Sequence, residues 1–155
     1  MSDRPNSVTR AIRLHWALLA VGLVTAVLTR VLRDDLIRSW AEGRPDMRRV
    51  LATQGLQAIK DGAVRPPAYV PVAVVLFIVF ALLVWMLLIF FSNGYNWARV
   101  SLAALLFFAA VATVAGIRTG PPVTFVVLSV LSLILEVAAM VYLWHRDTNR
   151  FLRHS

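Results

Sequence analysis

Four long apolar runs dominate this chain, at residues 14–31, 70–91, 100–117 and 123–144. Each approaches or exceeds the roughly 18 apolar residues that mark a membrane-spanning helix, which predicts spans over about 12–32, 68–91, 97–117 and 122–145. Polar and turn-forming residues separate them. Ser92-Asn93-Gly94 and Thr119-Gly120-Pro121-Pro122 are short enough to be tight turns, so the last three spans are expected to be neighbours running in alternate directions. The fold predicted is all-α: a polytopic membrane protein of one domain over residues 1–155, with four transmembrane helices in an antiparallel bundle.

The first connection, over about 33–66, is too long for a helix-to-helix turn and is expected to hold structure of its own. Two short helices fit it. Residues 34–42 place Leu36, Ile37 and Trp40 on one side, with Gly43 as the stop. Residues 47–60 follow the start signal Pro45-Asp46 and carry Met47, Val50 and Leu51, although Gly55 weakens the helix. Together they predict a short helical cap outside the membrane between the first two spans. Arg65-Pro66-Pro67 should be extended, and Pro71 fits the first turn of the second span. The first helix is expected to start near Thr9 as its cap. The basic segment after Trp144 is expected to extend or cap the last helix.

Composition agrees with this pattern. Of 155 residues, 59% are hydrophobic and 15% charged, with a mean hydropathy of +0.73, too apolar for a soluble domain of this size. The absence of cysteine removes disulfides, thiolate metal sites and thiol catalysis. The formal charge of +8 comes mainly from fifteen arginines against the single lysine Lys60. These border the apolar runs, as anchors at anionic headgroups do. A nucleic-acid partner is not expected, because the chain has no room for a folded basic module. The bias toward arginine, alanine, valine and leucine suggests a bacterial genome of high GC content.

The first run, preceded by Arg4, Arg10 and Arg13, lacks a small-x-small cleavage site and reads as a retained span. Seven basic residues fall on the side of the termini and nine, Arg65 among them, on the other, so the positive-inside rule does not decide by count. An N-terminal tail with three arginines resists translocation. Both termini are therefore expected in the cytoplasm, with the chain multi-pass in a bacterial plasma (inner) membrane.

One acid interrupts the apolar runs. Glu136 lies eight residues before Trp144, or ~12 Å along a helix at ~1.5 Å per residue. An ionisable group at that depth is costly and normally faces protein or a water-filled cavity. Ser129, Ser132 and Glu136 make one helical stripe, and His15, Trp85 and Ser101 are the polar groups expected in the same leaflet. That cluster has two readings: a proton relay, or a structural acid that is either protonated and donating a hydrogen bond to a neighbouring helix or ion-paired at a subunit interface. Trp40, Trp97, Arg99, Trp144 and Arg146 suit the headgroup level as interfacial anchors. His15, His145 and His154 have no ligand spacing for a metal or haem, and no enzyme motif is present, so neither catalytic residues nor cofactors are expected. The pairs Gly22/Ala26 and Ala112/Gly116 permit close helix contact and are expected to pack within the chain.

The segments Pro67-Ala68-Tyr69-Val70-Pro71-Val72-Ala73, Ser92-Asn93-Gly94-Tyr95-Asn96-Trp97-Ala98-Arg99 and Leu143-Trp144-His145-Arg146 resemble small four-span membrane proteins common in actinobacteria. The resemblance implies the four-span fold and carries no catalytic residues. The function expected is that of a non-enzymatic accessory or scaffold subunit in a larger membrane protein complex, with lipids and a larger membrane protein, or further copies of itself, as partners. A small proton-coupled transporter or channel-like homo-oligomer using Glu136 is the alternative, and a lipid-binding membrane protein a further one.

Overall fold

Proline sets the start of three helices in the computed structural model, which describes residues 5–62 and 66–153. Arg4, Arg65 and His154 lie outside the described residues. Among those described, every regular element is a helix. Pro5, with φ −58° and ψ 148°, precedes α1 (Asn6–Val31), and Pro122 stands in the same way before α6 (Val123–Leu143). Its ring fixes φ and costs no hydrogen bond at a helix start. The Thr9 N–H donates to the Pro5 carbonyl at 3.2 Å. Thr9 is thus inside the first turn rather than capping it, and α1 begins earlier than expected.

The long connection contains the two helices its pattern predicts, α2 (Arg33–Glu42) and α3 (Pro45–Asp61). Gly55, at φ 79° and ψ 178°, interrupts α3, and only glycine takes that conformation without strain. Ile37 and Ala41 of α2 and Ile59 of α3 are buried together, with Trp40, Met47, Val50, Leu51 and Leu56 packed around them. The two short helices therefore share an apolar core of their own. Lys60 lies 2.7 Å from Asp34 across it and holds that carboxyl below the usual carboxylate range, with Arg33 and Arg38 adding to the effect. Ser39 of α2 donates to the Gly120 carbonyl at 2.5 Å, which ties the pair to the turn before α6.

The remaining long helices are α4 (Tyr69–Ser92) and α5 (Asn96–Ile117). With α1 and α6 they make four helices long and apolar enough to cross a membrane. Gly94 and Gly120, at φ 90° and φ 69°, provide the left-handed residues of the two tight turns. Each long helix packs on two others: α1 on α4 and α6, and α5 on α4 and α6. Val8, Ala11 and Leu19 of α1 meet Val84, Leu87, Leu88 and Phe91 of α4, Ala98, Leu102 and Leu106 of α5, and Ala139 and Leu143 of α6 in one core.

That core is concentrated at one end of the molecule. The first part of α4, residues 69–83, and the last part of α5, residues 107–117, contain no buried residue. Gly22 of α1 packs closely against Phe77 of α4: a Cβ added there would lie 3.3 Å from the ring. At Gly116 of α5 an added Cβ meets nothing within 4 Å. The two small-residue pairs thus separate: Gly22 and the buried Ala26 pack inside the chain, whereas Ala112 and Gly116 face outward into open space.

The chain after α6 neither extends that helix nor trails away. It breaks at Trp144 and His145 and forms α7 (Arg146–Arg153). Thr148 of α7 is fully buried, with Oγ1 2.9 Å from Ser7 Oγ and donating to the Tyr142 carbonyl at 3.0 Å. Arg10 donates to the Tyr142 hydroxyl at 3.4 Å and stacks its guanidinium over the same ring. The start of α1 therefore meets the end of α6, and α7 closes over the joint.

Candidate functional site

The helical period of α6 puts Phe125, Ser129, Ser132, Glu136, Ala139 and Leu143 on one stripe, and all of these are buried or half-buried. That of α1 does the same for Val8, Ala11, His15 and Leu19. These are the helices with the most extensive mutual contact. His15 is 1% exposed and Glu136 7% exposed, so both side chains lie inside the chain's own packing.

Their hydrogen bonding is incomplete. The Ala11 carbonyl, 2.8 Å away, can only accept, so His15 donates to it through Nδ1. In the neutral ring this leaves Nε2 as an acceptor. Nε2 is shielded from solvent and has no partner among the described residues, and the same is true of Glu136 Oε2. Each unmet polar atom costs about 1–3 kcal/mol of desolvation. An imidazole acceptor and a carboxylic acid donor are chemically complementary, yet neither a hydrogen bond nor an ion pair joins these two side chains among the described residues. What the arrangement can do is hold two polar groups, shut away from water, between the first and last long helices.

The other residues of the expected cluster are distributed around it. Ser129 and Ser132 are half-buried on the Glu136 stripe, and Ser101 is half-buried one residue before the core residue Leu102. Trp85 is 52% exposed beside the buried Val84, so its indole points away from the core in which that valine sits.

The expected anchors fall in two places. Arg99, Trp144 and Arg146 gather where α5, α6 and α7 meet. Arg99 stacks 4.4 Å from the Trp144 ring and donates to the Asn149 side-chain oxygen, leaving its own Nε buried and unpartnered. Arg146 is exposed as the first residue of α7. Trp97 is exposed near this end and packs on Phe90 with ring centroids 5.0 Å apart. Trp40, in contrast, is half-buried in the α2–α3 core, with Arg44 4.5 Å over its ring.

Asn149 and Thr148 were not singled out by sequence reasoning. A polar residue in a short basic tail gives no periodic signal, and only the break after α6 turns them inward. Among the described residues no group of three or more His, Cys, Asp or Glu side chains is placed to hold a metal. Compared with protein-family models, with curated proteins and with solved structures, the chain matches none.

Proposed function

We infer that this chain is a non-enzymatic accessory or scaffold subunit of a larger membrane protein complex, one of the small four-span proteins of actinobacterial plasma membranes. On this reading the four long helices cross the bilayer as an antiparallel bundle with both termini in the cytoplasm, and α2 and α3 form a cap outside it. The bilayer surrounds a surface on which large apolar side chains such as Leu76, Phe108 and Val137 remain exposed. A larger membrane protein, or further copies of the chain, covers part of it.

The observation that carries the reading is the burial of Glu136, which is 7% exposed. A proton-coupled transporter needs a hydrated route to its acid, whereas Oε2 of Glu136 is shielded from solvent. The same choice between routes separates the two functions in the laboratory. Purification of the tagged chain in mild detergent, followed by mass spectrometry, is expected to yield one larger membrane protein in fixed stoichiometry, and reversing charge at the exposed Arg48 and Arg49 of the cap is expected to weaken its retention. A lone homo-oligomer whose proton flux in liposomes vanishes in Glu136→Gln would refute the accessory role.

A further inference from the structure

The end of the molecule where α4 and α5 bury nothing carries a groove of about 520 Å³. Its walls come from α4, from the end of α5 and from the start of α6: Val72, Ala73 and Leu76 on one side, Gly116 and Phe125 on the other. The surface is mostly apolar and the volume lies in the range of sites that hold small ligands. A second, more polar groove of about 440 Å³ adjoins it and shares Pro67, Ala68 and Tyr69 with it. Arg30 and Arg33 line this second groove.

Neither cation is held in a contact ion pair, although Arg33 acts on the neighbouring Asp34 through its charge. No carboxylate pairs with Arg30 or Arg33 in an ion pair among the described residues, and the nearest acid in sequence, Asp34, is taken by Lys60 at 2.7 Å. The three shared residues set the two grooves side by side, one apolar and the other bordered by two arginines. That is the complement of an amphiphile with an anionic head.

We propose that this composite groove binds one anionic phospholipid, with an acyl chain laid between α4, α5 and α6 and the phosphate at Arg30 and Arg33. The bilayer is as apolar as the groove, so the tail contributes fit rather than driving force, and the preference for this lipid over its neighbours comes from the head. The site stands independently of the accessory role.

Native mass spectrometry of the full chain in detergent tests this, with dioleoyl phosphatidylglycerol, dioleoyl phosphatidylcholine and glycerol 3-phosphate as probes. The expected result is a single retained phosphatidylglycerol, bound about thirtyfold more tightly than phosphatidylcholine, as a two-arginine headgroup contact implies. Glycerol 3-phosphate alone is expected not to be retained. Arg30→Gln with Arg33→Gln should remove the preference between lipids. Gly116→Leu, whose side chain enters free space, should reduce binding of both by about tenfold or more.

A readout on the unaltered chain stands beside the variants. A photoactivatable diazirine in the acyl chain of phosphatidylglycerol is expected to label Ala73 and Phe125, which line the groove, ahead of the exposed Val79 and Val127, which do not. Even labelling of all four, retention unchanged in Gly116→Leu, equal binding of the two lipids, or a second copy of the chain occupying the groove would each overturn the proposal.

Discussion

Glu136 shows how a single side chain is defined by its neighbours more than by its type. Its position in the sequence marks it as deep, and its stripe with Ser129 and Ser132 marks which way it faces; both follow from rise and period alone. The missing hydrogen bond does not follow from them, because it depends on which rotamers of His15 and Glu136 the packing of α1 on α6 permits. Oε2 is buried without a partner, so replacing the acid by an apolar side chain of similar size removes an unmet desolvation cost. Glu136→Leu is expected to raise the stability of the chain in detergent by about 1–3 kcal/mol. A detergent-denaturation series measures it. A variant less stable than the parent would mean that the carboxyl has a partner in the assembled state.

Among the elements, helices with strong periodicity were legible and their junctions less so. The four long apolar runs, the two helices of the connection and both glycine turns stand where the pattern puts them. The start of α1 shifted because Pro5 outcompetes Thr9 as the boundary, and α7 was hidden because a short, mainly polar segment looks the same whether helical or extended. Small residues were the weakest guide. Gly22 and Gly116 sit in similar alanine-rich surroundings, but only Gly22 faces a ring across a helix interface. Gly22→Leu should therefore push α1 from α4 and cost about 1–3 kcal/mol. Gly116→Leu should be neutral or gain up to about 1 kcal/mol of helix propensity. The two midpoints, compared under identical detergent conditions, check the difference; equal losses would mean that α5 is covered in the folded chain.

For the molecule as a whole, the contact of earliest with latest residues matters most. Ser7 and Thr148 face each other at 2.9 Å, and the chain has no cysteine of its own. In Ser7→Cys with Thr148→Cys the only two thiols are thus at disulfide range. Oxidation is expected to give an intrachain bridge, seen as faster migration on a non-reducing gel and as slower unfolding. Bridged dimers in its place would show that α7 packs on a different copy.

The same joint sets an order of events in time. The most extensive helix contact, α1 with α6, links residues that leave the ribosome far apart: 121 residues separate His15 from Glu136. At ~5–20 residues per second this interval is roughly 6–24 s. Throughout it, the imidazole of His15 has no sixth helix to shelter it. Synthesis halted before α6 leaves α1 with a polar face that its main partner does not cover, a natural mark for quality control.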